Sequence, residues 1–526
     1  MAAATERPNI LLILTDQQRF DSLGCYGAPL CRTPHIDGLA ARGVRFDAAY
    51  TSAVACSPSR AMLFTGVYPH KNGVHTNEEV LNAEIPNLAT ELGRAGYRLG
   101  YTGKWHVDRN KVPSQYGFVG HDFPNYGYPP ANGIIHGLHY HAGRIVEGGP
   151  DYTTYYADYL SAHGLEPPGM SEVRYGESPN PRMKGHEIYA RLSGDIESTF
   201  EAMVAEKTME LLREFGNRRE QDGTPFFLWA NFWGPHTPIL LPEPYFSMYD
   251  PADVPYEPSF PETFLHKPER QRLSDRLWGL STEGWPGWQR IIARYWGYVT
   301  MLDDLTGRIL RALRELGLEG NTLVVFATDH GDMMGAHRMI EKGPYAYEES
   351  FRLPMIAAHP QCEAPGSVNQ ELVSLQDLYP TFVALAEGRP PACDCISIVD
   401  QILGREGSTG RGERPVRGIY GRSGHGADLR MVRTRTHKLT LAPVGRGIIQ
   451  DLARDPWELF ELYDLVNDPH EMVNLIDRRG VQEVQEEMMA LMRQYMADLG
   501  DPMLDYLNQV YDSHWGTPTW QRFPLG

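Results

Sequence analysis

The chain of 526 residues carries 49 Lys and Arg against 67 Asp and Glu, a formal charge of −18. That balance excludes nonspecific nucleic-acid binding, because the phosphate backbone would be repelled, and any anionic ligand has to meet a local basic cluster. The length allows roughly two to four core-bearing units.

Residues 1–8 contain no apolar stretch, and the first hydrophobic run, residues 10–14, is far too short for a signal core or a membrane span. The expected location is the cytoplasm, with no membrane partner. Six cysteines (Cys25, Cys31, Cys56, Cys362, Cys393, Cys395) lack metal-ligand spacing, and setting Cys56 aside for chemistry leaves an odd number, as fits a reducing compartment.

Residues 9–14 form a continuous apolar run ending in Thr15-Asp16, the pattern of a strand buried on both faces with a polar residue at its carboxyl end. The pattern recurs at 97–102 before Gly103-Lys104-Trp105-His106, at 225–230 before 231–236, and at 323–327 before Thr328-Asp329-His330-Gly331. Helical patterns over 86–95, 196–215 and 288–316 alternate with these runs. The alternation predicts an α/β fold with a large, mostly parallel sheet flanked by helices, and such sheets bind ligands beyond the carboxyl ends of their strands.

Between the first two runs, Cys56-Ser57-Pro58-Ser59-Arg60 predicts a helix start, with Ser57 as the cap and Pro58 as the first helical residue. Cys56 then sits at the positive end of the helix dipole. Arg60, in the first turn, offers a fork of donors to sulfate, phosphate or carboxylate oxygens. Residues 107–186, rich in Gly, Pro, Tyr and His without a clear period, read as a long insertion over the site, with Tyr126, His136, His139 and His141 at the pocket mouth.

The catalytic unit is expected to span 1–410. Short alternating strands at 429–434, 438–441 and 457–463, then a helix over 481–499, predict a smaller α+β domain with an antiparallel sheet across 411–500. The aromatic tail 501–526, with Tyr506, Tyr511, Trp515, Trp520 and Phe523, is expected to dock on the body or on another subunit, which favours a homo-oligomer.

Asp16 and Asp329-His330 end strands that share one sheet edge, so carboxylate oxygens and an imidazole converge there on a divalent cation. Lys104 and His106, two apart in extended chain, face one side and bring a cation and a proton-transfer group to one crevice. His236, in Gly234-Pro235-His236-Thr237-Pro238, is braced as a positioned acid or base. Lys342 follows Asp329 closely enough to return to the same edge. Taken singly, each of these is equally a turn residue, a surface lysine or an incidental histidine.

As an ordered set they resemble a family. Cys56 to Arg60 with Thr65-Gly66, Asp16, Gly103-Lys104-Trp105-His106, Pro235-His236, Thr328-Asp329-His330-Gly331, Lys342, Tyr347-Glu348-Glu349-Ser350, Arg352-Leu353-Pro354 and Glu461-Leu462-Tyr463-Asp464-Leu465 with Asp468-Pro469 are similar to the type I sulfatases, members of the alkaline phosphatase superfamily. The resemblance covers most of the chain. It implies that a separate maturation enzyme reads Cys-x-Pro-x-Arg and oxidises Cys56 to Cα-formylglycine. One hydroxyl of the hydrated aldehyde attacks the sulfur of a small anionic ester and expels the alcohol, and the second collapses the sulfated intermediate.

The resemblance also assigns roles. Asp16, Gln17, Asp329 and His330 stand at metal-ligand positions, completed by the modified Cys56; Arg60 secures the formylglycine oxygens. Lys104 and Lys342 bind sulfate and balance its charge, His236 protonates the leaving alcohol, His106 contacts the diol or the sulfate, and Asn77 contacts substrate. Two departures bear on the metal and the substrate. Many sulfatases carry two consecutive aspartates where this chain has Asp16-Gln17, and Asp-Asn where it has Asp329-His330. Ca²⁺ is the expected metal, and the softer site brings Mn²⁺, or Mg²⁺, into consideration. The same departures occur in related phosphonate monoester and phosphodiester hydrolases, the alternative activity; a binding protein in which Cys56 stays a thiol is the third reading.

Overall fold

The computed structural model describes residues 7–28, 30–77, 79–120, 153–178, 185–405, 416–420, 428–443 and 455–515. Eight strands build the central sheet: β1 (Asn9–Asp16), β2 (Val44–Phe46), β3 (Arg98–Gly103), β4 (Val119–Gly120), β5 (Phe226–Pro235), β6 (Thr322–Thr328), β7 (Met355–Ala358) and β8 (Ser367–Asn369). Their spatial order is β8-β2-β7-β6-β1-β5-β3-β4. Only β7 runs against its neighbours; every other pairing is parallel.

The uninterrupted apolar runs follow from burial on both faces. Alternate residues of β1 point to opposite sides. Leu11 and Ile13 join the core beneath α2 (Phe200–Asp222) and α3 (Trp285–Glu315), with Phe215 and Leu305. Ile10, Leu12 and Leu14 join the core beneath α1 (Cys56–Thr65) and α4 (Leu378–Glu387), with Leu63 and Phe382. The parallel central strands therefore end together, and Asp16, Gly103, Pro235 and Thr328 meet at one edge.

A second sheet, near the C-terminus, is antiparallel throughout: β9 (Val416–Tyr420), β10 (Leu429–Arg433), β11 (His437–Leu441) and β12 (Phe460–Asp464). Met488 and Met492 of α5 (Gln482–Leu499) cover its Leu439, Leu441 and Leu462. The tail continues as α6 (Leu504–Trp515), which buries Leu507 and Val510 in the same core and sets Trp515 edge-on to Phe460, 5.0 Å between ring centres. The tail aromatics as far as Trp515 thus pack within the chain.

A buried polar seam joins this sheet to the main body. Glu348 faces Arg433 at 3.1 Å and Lys438 at 3.2 Å, Lys438 also reaches Glu471 at 2.5 Å, and Arg270 meets Glu461 at 3.1 Å. Lys267 pairs with Glu262 at 2.5 Å, as does His337 at 2.8 Å.

Three local expectations change. The helix at Cys56 begins two residues earlier than expected, with Ala55 rather than Ser57 at the cap position. Residues 457–459 are a helical turn, because Pro456 suits a first helical position, and the strand starts at Phe460. The insertion at 107–186 carries regular structure: a helix, Thr153–Ala162, and a strand, Met170–Tyr175, paired antiparallel with Glu187–Leu192. Tyr126, His136, His139, His141, Trp520 and Phe523 lie outside the described residues.

Candidate active site

Helix α1 aims its N-terminus at the sheet edge. Every residue from Cys56 to Thr65 is buried, and Gly66, in the left-handed region at φ 69°, closes the helix through its N–H to the Met62 carbonyl. With no side-chain cap at Ala55, the Ser57 N–H is taken by Asn77 Oδ1 at 3.1 Å, from a loop twenty residues on. Asn77, expected at substrate, therefore has its carboxamide oxygen at the helix start. Cys56 and Arg60, four apart, share one helix face.

Arg60 is spent on the protein. Its Nε donates to Asp329 Oδ2 at 2.8 Å, one terminal nitrogen to Asp16 Oδ2 at 3.0 Å, and the other to Asn231 Oδ1 and the Lys104 carbonyl, both at 3.0 Å. Burial works against its charge, but Asp329 and Asp16 raise its pKa. The guanidinium thus locks the ends of β1, β3, β5 and β6 together. Gly103, at φ 82°, permits this: a Cβ there would lie 1.7 Å from the Asn231 carbonyl oxygen.

Four electron-pair donors face one another: one ligand atom each from Asp16, Cys56, Asp329 and His330 lies within 4.8 Å of the others, all buried. Cys56 Sγ is 3.2 Å from His330 Nε2 and 3.8 Å from Asp16 Oδ1. His330 Nδ1 lies 3.0 Å from the Gly331 carbonyl; Nδ1–H donates there, leaving Nε2 with its lone pair toward the group. Such a set is costly without a cation among it, and its mixture of carboxylate, imidazole and sulfur suits a divalent metal. Burial, then the charge of Asp16, pushes Asp329 up to about 6. Asp16 moves the other way: burial and Cys56 oppose its charge, but Lys104 and Arg60 hold it well below the usual carboxylate range.

Gln17, at φ 63°, accepts from Lys342 Nζ through Oε1 and donates to Asp332 Oδ2 at 2.6 Å. Lys342 Nζ lies 2.7 Å from His236 Nε2. An ammonium can only donate, so Nε2 accepts and Nδ1–H donates to the Thr237 carbonyl at 2.5 Å. Lys104 Nζ reaches Asp16 Oδ2 at 2.6 Å and sits 3.9 Å above the Trp233 ring. His106, at φ 49°, is buried beside Cys56, and burial chiefly lowers its pKa to about 4. Burial also opposes the Cys56 thiolate, yet Lys104 and Lys342 bring its pKa well below the ordinary thiol value.

Asp16, Gln17, Cys56, Arg60, Lys104, His106, His236, Asp329, His330 and Lys342 thus come together at this edge, and Asn77 adjoins it through Ser57. Three that hold it were not anticipated: Asn231 beneath Arg60, Asp332 beneath Gln17, and Trp233 beneath Lys104. Asn231 carried the signal that exposed Asp16, being the first polar residue after an apolar run; Asp332 and Trp233 had no comparable mark.

A mostly parallel sheet with helices on both faces, gathering metal ligands, a candidate nucleophile at a helix start and two ammonium groups beyond its carboxyl edge, defines a hydrolase of the alkaline phosphatase superfamily. Within that superfamily the chain belongs to the sulfatase family, whose model, Sulfatase, matches residues 8–388. It is 30% identical over 529 residues to an uncharacterized sulfatase, YidJ, of Escherichia coli (strain K12), covering 98% of this chain and 91% of that one. It is also 30% identical to the arylsulfatase of Clostridium perfringens (strain 13 / Type A), over 87% and 90% of the two chains. The phosphonate monoester hydrolase of Agrobacterium radiobacter shares the fold, with a TM-score of 0.68 over 93% of this chain and 96% of that one at 24% identity. The chain is a sulfuric ester hydrolase by family, and among the described residues no helix is long and apolar enough to cross a membrane.

Proposed function

We propose that the chain hydrolyses an aryl, alkyl or sugar sulfate at the Cys56 edge, after a maturation enzyme converts Cys56 to formylglycine. The observation that carries this reading is the seating of Cys56 Sγ among Asp16, Asp329 and His330 with Lys104 and Lys342 alongside. Asp16, Asp329 and His330 would hold the metal, with Gln17 adjoining. When bound, the metal supplies positive charge for the oxygens of nucleophile and ester, and the hydrated aldehyde supplies the attacking hydroxyl and the second hydroxyl that releases sulfate. Lys104 and Lys342 bind the sulfate oxygens and neutralise charge that grows in the transition state. The proton held between Lys342 Nζ and His236 Nε2 is the one available to the leaving oxygen. Arg60 keeps both carboxylates in place, and His106 flanks the nucleophile.

Ca²⁺ is the metal expected of the resemblance, and the nitrogen donor of His330 brings Mn²⁺, or Mg²⁺, into consideration beside it. The same imidazole supports a second reading, hydrolysis of phosphonate monoesters or phosphodiesters. Rates on aryl sulfate, phosphonate monoester and phosphodiester separate the two: strong phosphonate turnover with negligible sulfatase activity would sink the first. Peptide mass spectrometry at Cys56 tests the modification; an unmodified thiol, with undisturbed turnover in Cys56→Ala, refutes the nucleophile. We also propose a cytoplasmic location: setting Cys56 aside for chemistry leaves an odd number of cysteines, as fits a reducing compartment.

A further inference from the structure

The carboxyl end of β5 does not follow β1 residue for residue. Leu14 pairs with Asn231 and Asp16 with Pro235, so one residue of β1, Thr15, stands opposite three of β5, Phe232, Trp233 and Gly234. This bulge removes backbone groups from the ladder at a buried place, where an unmet N–H is costly. One side chain collects two of them. Glu201, the second residue of α2 and 3% exposed, accepts the Trp233 N–H through Oε2 at 3.2 Å and the Gly234 N–H through Oε1 at 2.8 Å; Tyr298 of α3 donates to Oε1 at 2.9 Å. Gly234 is pressed so close to Tyr298 that a Cβ would lie 2.5 Å from its ring.

The bulge aims one side chain. The Trp233 ring lies 3.9 Å beneath Lys104 Nζ and 5.3 Å from the His236 ring, between the two groups proposed above to hold sulfate and to serve the leaving alcohol. The anionic neighbour of Lys104, Asp16 Oδ2, is shared with Arg60 and belongs to a proposed metal ligand. A second, neutral support for the ammonium is therefore needed in a buried place, and an indole face provides it.

We propose that Trp233 is a positioning residue for Lys104, set in place by the Glu201 carboxylate through the β5 bulge. This rests on the reading of Lys104 as a sulfate-holding cation. A desolvated cation over an indole is stabilised by about 2 kcal/mol, or about 30-fold at 1.36 kcal/mol per decade.

The test is a double-mutant cycle on kcat/KM for an aryl sulfate with the mature, metal-loaded enzyme, run under single turnover where rates are low. Trp233→Leu, or Trp233→Met if the Leu variant does not fold, is expected to lose about 10- to 30-fold, while Trp233→Phe, which keeps an aromatic face, recovers most of that loss. In a Lys104→Met background, removing the indole is expected to cost less than about 3-fold. Equal losses in both backgrounds, or a Phe variant as poor as Leu, would mean that Trp233 serves only the fold and would overturn the inference alone. If Lys104→Met by itself left sulfate hydrolysis intact, the proposed role of Lys104 would fall and this inference with it.

Discussion

Two buried centres of charge lie in this molecule, and they differ in how completely they are balanced. In the seam beneath the C-terminal sheet, Glu348 is met by Arg433, Lys438 and Tyr50, Glu461 by Arg270 and Gln271, and Glu262 by Lys267 and His337. At the sheet edge, Asp16 and Asp329 are braced by Arg60, yet one donor atom from each still converges with Cys56 and His330 on one point. Burial and charge are common to both places, so neither marks function. The convergence of lone pairs on one point marks it, since a self-contained network has nothing left to offer a ligand.

Variants at the two centres should therefore fail in opposite ways. The largest effect is expected from Asp16→Ala: kcat/KM for a sulfate ester falls by about 10³-fold or more, with bound metal lost by elemental analysis. Glu348→Ala should do the reverse. It leaves Arg433 without its ion-pair partner and Lys438 with Glu471 alone, destabilising by about 3–5 kcal/mol in denaturant unfolding, with metal content and kcat of the folded fraction retained. A metal-depleted Glu348→Ala protein would erase the distinction.

A smaller effect separates Glu348 from its neighbour. Arg433 and Lys438 overcome burial and hold the Glu348 carboxyl far below its ordinary range, whereas burial pushes Glu349 up to about 8. Above about pH 4.5 the unfolded chain has released a proton that folded Glu349 still binds, so its contribution to stability declines as pH rises from about 4.5 through 8. Glu349→Gln should flatten that decline, read as melting temperature across the interval; an unchanged slope would remove Glu349 as its source. The smallest effect is expected at the helix start, where Asn77→Ala should cost about 1 kcal/mol through loss of the Ser57 cap, with the metal retained.

Much of this was legible in the chain itself, for one physical reason. A strand buried on both faces tolerates no polar side chain until it reaches its end, so Asp16, Lys104 and Asp329 announced themselves by where the apolar runs stopped. The supporting residues are hidden by the same logic. Glu201 sits in an ordinary helical turn and Trp233 in what reads as a continuing strand; only the bulge, a relation between β1 and β5, brings them under Lys104. The helix start misled for a related reason: Ser57 has the chemistry of a cap, but the helix begins before it and its own N–H is met by Asn77 across the fold.

The burial of α1 bears on the order of events in the life of the chain. Cys56 is 1% exposed, and none of the nine residues that follow it in the helix reaches solvent appreciably. A second protein that had to grip Cys-x-Pro-x-Arg as an extended peptide would find no such peptide in the finished molecule. The proposed oxidation of Cys56 must therefore be completed on the nascent or unfolded chain, and folding then seals the product from further attention. Adding the maturation enzyme to folded, unmodified protein should leave Cys56 a thiol, and adding it during refolding should convert it.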